Sequence, residues 1–178
     1  MQNLADSPVF PPPHSPAIEV SAALSGAAVA GAVARHACQC AGHDTLDRQF
    51  VAMLDGYRSS GGLGRARELQ EALTRKNGSS KSSVALLNGW IARREVICFE
   101  WQGSTWFPWF QFDATNMSLR PQLDAVLQEL NTVYDPWEVG CWFARPNPWL
   151  ADRAPVDALM HRLPEVLHAA RAERFIAR

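Results

Sequence analysis

The feature that most constrains the fold is a change of hydrophobic period between Leu63 and Phe112. As far as Ile91 the apolar residues recur at every third or fourth position, which is typical of amphipathic helices. Beyond Glu95 two aromatic and β-branched runs follow, and the short, Gly-containing segment Gln102-Gly103-Ser104 between them is typical of a hairpin loop. Two helices followed by a hairpin predict a winged-helix-like block.

The ends of the two helices in this block are also marked. Asn77-Gly78 closes the first helix, because these residues tolerate the left-handed backbone that often ends a helix. The second helix follows at once, and Ser82 or Ser83 can cap its first turn. The sequence therefore predicts a tight connection between the two helices.

The rest of the chain is predicted to be helical, apart from a Pro-rich arm over residues 1–19. Two helices are expected between Val20 and Arg58, the second of them capped by Asp44 or Thr45. Helix starts are expected near Pro121, Asp135-Pro136, Pro155 and Pro164. The fold class is mainly α with a small β-hairpin, and we expect two units, a helical and winged-helix-like domain over 20–113 and a small helical domain over 114–178.

Charge and cysteine content restrict the function classes. The net charge is −1 and the pI is about 6.5, so binding of a polyanion must be local. The four cysteines are too few and too scattered for a disulfide framework. The start of the chain has no basic segment before its apolar stretch, and the apolar run over 20–34 is short of the ~20 residues that span a bilayer. We expect a cytoplasmic protein without a membrane partner.

No motif in the sequence indicates catalysis, and we predict neither an enzyme nor a cofactor. The segment from Ser59 to Gly64 lacks the Lys of a phosphate loop, and His161 and His168 lie near no recognisable nucleophile. A metal would have to use His36, Cys38, Cys40 and His43. We interpret this cluster as a helix end, since alternate cysteines on a helix cannot share one ion, and metal binding there stays open.

Local positive charge makes DNA contact an alternative for the winged-helix-like block. Between residues 63 and 112 seven Arg or Lys residues face four Glu residues, which could guide phosphate contacts or form an ordinary solvated surface. The candidate DNA-binding residues are Arg75, Lys76, Lys81, Arg93 and Arg94.

The tryptophans are numerous for this length, and we expect most of them in the core. Trp90, Trp101, Trp137 and Trp142 follow helical or alternating spacing, which is typical of core aromatics. The run from Trp106 to Phe110 is apolar on both faces and must be covered by another surface, either within the chain or on a partner. Trp106, Trp109 and Trp149 are therefore candidates for an interface.

The last third of the chain carries an ordered set of short motifs. Trp142, Pro146, Asn147 and Leu150 form a W-x-x-x-P-N-x-x-L segment, which is followed by a turn, by Pro155 and by an Ala-rich terminal helix. From about Leu119 to Ala172 this resembles the toxin-binding domain of Xre/MbcA/ParS-type antitoxins. Asp152 departs from the pattern, because that family usually has Gly there. An Xre-type DNA-binding domain is also not recognisable upstream.

The resemblance implies an antitoxin that binds and neutralises a partner toxin, commonly one with a RES domain that consumes NAD. Such antitoxins typically form homodimers and obstruct the active site of the toxin with their C-terminal region. The candidate contact residues implied by position are Trp149, Leu150, Arg153, Arg171, Arg174 and Arg178. The alternatives are an orphan interaction or scaffold protein without a toxin and a DNA-binding transcriptional regulator, with an enzyme as a distant third.

Overall fold

A computed structural model describes residues 44–177 of the chain. This part is mainly helical with one small antiparallel sheet, so the predicted fold class is confirmed. The elements are α1 (residues 44–56), β1 (Leu63–Arg65), α2 (Ala66–Asn77), α3 (Ser80–Ala92), β2 (Phe99–Trp101), β3 (Ser104–Pro108), α4 (Gln122–Leu130), α5 (Pro136–Ala144), α6 (Pro155–Ala158) and α7 (Leu163–Ile176), with short 3-10 helices at Arg58–Ser60, Trp109–Gln111 and Pro148–Leu150. The arm over 1–19, the helix expected from Val20, the His36 to His43 cluster and Arg178 lie outside the described residues.

The middle block has the connectivity of a winged helix. Its sheet runs in the order β1-β3-β2, so β3 lies between the strand that precedes α2 and the strand that follows α3. The hairpin between β2 and β3 is confirmed, with Trp101 opposite Ser104. Strand β1 is a correction, because Leu63 was expected to start a helix and instead pairs with Pro108. Three residues are too few for hydrophobic period alone to separate a strand from a helix.

The connection between α2 and α3 is as tight as expected, although the N-cap of α3 lies about one helical turn earlier than predicted. Gly78 takes the left-handed conformation (φ 69°) that ends α2. The N-cap of α3 is Ser79, whose hydroxyl accepts a hydrogen bond from the backbone N–H of Ser82, and neither Ser82 nor Ser83 serves as the cap. Ser83 is buried and donates its hydroxyl hydrogen to the carbonyl of Ser79 (2.8 Å). Ser79 is the N-cap because it is the last residue with extended backbone before α3.

The aromatic hairpin is covered from within the chain. Phe50 of α1 stacks on Trp101 with 3.7 Å between the ring centroids and meets Trp106 edge-on at 5.0 Å. Trp109 packs edge-on against Phe112. The covering surface that the sequence required is therefore α1 and neighbouring parts of the same chain, and Trp106 and Trp109 are each half-buried against it.

Two apolar clusters hold the described residues together. The smaller one joins α2 and α3 to the hairpin and includes Leu73, Leu87 and Phe107. The larger one takes residues from α1, from β2 and from the C-terminal helices, for example Met53, Phe99 and Phe143. This second cluster has members on both sides of the predicted boundary at 113/114, and residues 44–177 belong to one compact unit.

Candidate functional site

The motif segment folds as a closed bend after α5. Helix α5 starts with the predicted capping box, in which Asp135 accepts from the N–H of Glu138 and Glu138 accepts from the N–H of Asp135. Its last residue is Ala144, because Pro146 disfavours helical backbone at Arg145. Asn147, only 4% exposed, then organises the bend.

Asn147 uses both its side chain and its backbone to close this bend. Its Oδ1 accepts from the N–H of Trp149 (2.9 Å), and its carbonyl accepts from Leu150 and Asp152. Its own N–H donates to the carbonyl of Arg153 (3.0 Å). A buried amide with this many local bonds fixes the shape of the turn, which agrees with the Asn of the motif.

The turn explains the departure at Asp152. Ala151 (φ 55°) and Asp152 (φ 58°) both adopt left-handed backbone. Glycine takes this conformation without steric cost, whereas a residue with a Cβ is strained by it. The position where the antitoxin family usually has Gly is thus one where Gly is favoured, and Asp152 keeps the geometry because Asp tolerates the left-handed region better than most residues.

The three candidate contact residues of the bend have different surroundings. Trp149 is 52% exposed and meets only the edge of the His168 ring among the aromatic side chains described, with 5.6 Å between the centroids. Arg153 is exposed as well. Leu150 is fully buried in the larger apolar cluster, so it is removed from the set of contact residues.

The candidate arginines of α7 are engaged within the chain. The Nε of Arg171 donates to one carboxylate oxygen of Glu129 in α4 (3.0 Å), and Nη1 of Arg174 lies 2.6 Å from the other. Glu129 is largely buried, with 13% of its side chain exposed. The first role of Arg171 and Arg174 is therefore to hold α7 on α4.

Apolar side chains stay exposed near the C-terminal end of α7. Phe175 is 83% exposed and Ile176 is 69% exposed. His168, Ala172 and Phe175 lie on one face of the helix, since their spacing is four and then three residues. With Trp149 beside His168, these residues form what we call the C-terminal apolar face, defined as Trp149, His168, Ala172, Phe175 and Ile176.

A pocket of about 360 Å³ lies between α5, the bend and Glu173 of α7. Three residues of the sequence motif, Trp142, Pro146 and Asn147, line it together with Tyr134, Trp137 and Glu173. We call it the motif pocket. Sequence reasoning did not find it, because its lining comes from α1, α5, the bend and α7, which meet only in the folded chain.

The polar groups of the motif pocket are fixed by hydrogen bonds. Glu173 accepts from the hydroxyl of Tyr134 (2.7 Å) and from the indole N–H of Trp142 (3.2 Å). The indole N–H of Trp137 donates to Gln49 of α1 (2.7 Å). Burial, followed by the hydrogen bond to Glu173, raises the pKa of Tyr134 to about 12, so its hydroxyl stays a donor at neutral pH.

The five DNA-binding candidates divide into two groups. Arg93 forms a double hydrogen bond with Glu95, which raises the pKa of Arg93. Arg94 donates to the backbone carbonyls of Asn131 and Tyr134 beyond the end of α4. The other three, Arg75, Lys76 and Lys81, are exposed where α2 ends and α3 begins.

Other kinds of site are not indicated within residues 44–177. Groups of three or more His, Cys, Asp or Glu side chains that could hold a metal ion do not occur there. Burial raises the pKa of Cys98 to about 11 and also raises the pKa of Cys141. Both thiols are therefore protonated at neutral pH. Among the described helices, each is too short or too polar to cross a membrane. Comparison of the chain with family models, curated proteins and solved structures found no match.

Proposed function

We propose that this protein is antitoxin-like and binds and neutralises a partner toxin through its C-terminal apolar face. The toxin class implied by the motif is the RES-domain, NAD-consuming class. The observation that carries the proposal is the placement of Trp149, which is half exposed on a hydrogen-bonded bend beside His168 of α7. A rigidly placed, exposed Trp is a common anchor of protein interfaces.

The other residues of the face fit the same role. Phe175 and Ile176 add large exposed apolar area farther along α7, and exposed apolar patches rimmed by polar groups mark interaction sites. Arg153 is an exposed cation on the same bend as Trp149. The predicted homodimer is a separate proposal, which sedimentation analysis of the full chain would test.

The test is binding and rescue with the product of the neighbouring gene, which the proposal expects to be a RES-domain toxin. Full-length chain should form a complex with that toxin and restore the growth of cells that express it. Trp149→Ala should weaken the complex by roughly thirtyfold, since a desolvated Trp anchor commonly contributes ~2 kcal/mol or more. Val51→Ala is the matched control, because Val51 is an exposed apolar residue on α1. A chain that neither binds nor rescues would contradict the proposal.

DNA binding is the second candidate function, and the connectivity of the middle block favours it. In winged-helix proteins the second helix of the helix-turn-helix enters the major groove, which corresponds to α3 here. Replacing Arg75, Lys76 and Lys81 by Ala should weaken binding to the promoter of the gene and flatten its salt dependence, by roughly one unit of slope for each phosphate that the variant no longer neutralises. Arg93→Ala is the control, because Glu95 already pairs with Arg93. Lack of binding at low salt would exclude this function.

A further inference from the structure

Within residues 44–177, Glu173 is a negatively charged group that has hydrogen-bond donors but no cation. Both of its carboxylate oxygens accept hydrogen bonds, one from Tyr134 and one from Trp142, and these donors are neutral. None of the Arg, Lys or His side chains in this part of the chain forms an ion pair with it, although Glu129 on the neighbouring α4 has two. Each oxygen keeps a further lone pair for another donor.

The surroundings of Glu173 are those of a pocket for a flat cation. Tyr134, Trp137 and Trp142 line the motif pocket, whose volume of about 360 Å³ is enough for one long side chain or a small ligand. Aromatic rings attract cations, and a guanidinium also stacks on them. The indole N–H groups of Trp137 and Trp142 are already used by Gln49 and Glu173, so the rings are held in place.

The charges at the pocket favour a cation over an anion. Glu138 is a second carboxylate in the lining, and Arg145 is the one cation among the described residues that line it. The balance of these three side chains is therefore negative by one charge. A ligand carboxylate or phosphate would have to approach Glu173 and Glu138, which is unfavourable.

We propose that the motif pocket binds a guanidinium group. The Glu173 carboxylate accepts hydrogen bonds from the N–H groups of the guanidinium, and the rings of Trp137 and Trp142 pack against its flat faces. A guanidinium fits better than an ammonium because it is flat and its N–H donors match a carboxylate. The source is either an arginine side chain of a protein or a free arginine-like small molecule. This site is separate from the C-terminal apolar face and does not depend on the partner being a toxin.

The test uses the full chain and N-acetyl-argininamide. Addition of this compound should shift the indole N–H resonances of Trp137 and Trp142 saturably, while the resonance of Trp90, buried in the smaller cluster, stays unchanged. N-acetyl-citrullinamide is the matched neutral ligand, with the same shape but no charge, and it should bind at least about tenfold more weakly. Lack of a saturable shift, or equal binding of the two compounds, would overturn the proposal.

A second arm uses the protein side. Glu173→Gln keeps the size of the side chain but removes its charge, and it should lower the affinity for N-acetyl-argininamide about tenfold or more. Glu165→Gln, on the same helix and outside the pocket, should leave the affinity unchanged. Should Glu173→Gln fail to fold, the comparison of the two ligands on the unaltered protein still decides.

The source of the guanidinium is decided with two further ligands, free arginine and the peptide Gly-Gly-Arg-Gly-Gly. Binding of the peptide supports a side chain of a partner protein as the occupant, and binding of free arginine alone supports a small molecule. If neither ligand displaces N-acetyl-argininamide, the acetyl and amide groups of that compound are required for its binding. That result would contradict a pocket that recognises the guanidinium group.

Discussion

At the scale of single residues, neighbours in the bend have opposite surroundings. Trp149 is half exposed, whereas Leu150, the next residue, is fully buried among the helices of the larger cluster. Both lie in the motif segment, and the resemblance to the antitoxin family implied that both contact the partner. The 3-10 turn at Pro148–Leu150 rotates successive side chains by about a third of a turn, which sends one outward and the other into the core.

Replacing these two residues should therefore have different effects on stability. Leu150→Ala is expected to lower the free energy of unfolding by about 2–5 kcal/mol, because it leaves a cavity in the core. Trp149→Ala should lower it by less than about 1.5 kcal/mol, because the side chain is half exposed and its described ring contact is with His168 alone. Urea denaturation of both variants measures the difference. A larger decrease for Trp149→Ala would mean that Trp149 is a packing residue and not a contact.

At the scale of elements, the bend between α5 and α6 stores backbone strain. Ala151 has a left-handed φ of 55° and no side-chain group that could offset the cost with a hydrogen bond. Asp152 has nearly the same φ, but its short polar side chain makes this backbone less costly. The shape of the bend is nevertheless kept by the hydrogen bonds of the buried Asn147.

Glycine at position 151 should relieve this strain. Ala151→Gly is expected to stabilise the protein by about 0.5–1 kcal/mol, since relief of the ~1–2 kcal/mol left-handed penalty exceeds the added entropy of the unfolded chain. That corresponds to a rise in Tm of roughly 1–4 °C in a thermal scan. Asp152→Gly should give a smaller gain. A fall in Tm for Ala151→Gly would show that the methyl group of Ala151 makes a stabilising contact.

At the scale of the whole molecule, the larger apolar cluster makes residues 44–177 one structure. Arg94, which follows α3, donates to carbonyls beyond the end of α4, and Tyr57 donates its hydroxyl hydrogen to the carbonyl of Gly140 in α5 (2.6 Å). Gly140 also lies so close to Phe99 that an added Cβ would be 2.8 Å from the ring. The winged-helix-like block and the C-terminal helices thus share their packing. The motif pocket likewise combines Gln49 of α1 with residues of the C-terminal part.

Cutting the chain should consequently not separate the two parts. A single protease site introduced between Ala114 and Asn116 lies in an exposed connection, so cleavage is expected to proceed. The two fragments should remain together in native size-exclusion chromatography, because separation would expose residues of a shared core such as Met53 and Phe143. Two independently eluting fragments would instead support the domain boundary predicted at 113/114.

Alkaline pH should destabilise the whole molecule. The folded pKa of Cys98, about 11, is above its ordinary value of 9.0, mainly because of burial. Its contribution to the free energy of unfolding is therefore complete below pH 9 and disappears as the pH rises through 11. Burial also raises the pKa of Tyr57, which adds a similar decrease above its ordinary value of 10.0. Urea midpoints measured from about pH 8 to 11 should fall, and Cys98→Ala should flatten the part between about pH 9 and 11.

Local patterns in the sequence determined the elements. The capping box at Asp135 and Glu138, the left-handed Gly78 and the short hairpin loop depend on neighbouring residues alone, so they could be predicted. The winged-helix order followed from the change of hydrophobic period. Strand β1 could not be predicted in the same way, because three residues are too few to distinguish a strand from the start of a helix. The cap at Ser79 could not be chosen, because several neighbouring serines are equally suitable N-cap residues.

Only the tertiary structure decided which of these residues are free to bind. Burial removed Leu150, and ion pairs or carbonyl contacts engaged Arg94, Arg171 and Arg174, all of which look like exposed contact residues in sequence. Conversely, Glu173 and Tyr134 are 39 residues apart and gave no sequence signal, yet they share a hydrogen bond in the motif pocket. The exposure of a side chain, its ion pairs and the cavities around it depend on residues that are distant in the chain. A pattern of neighbouring residues carries no information about those contacts.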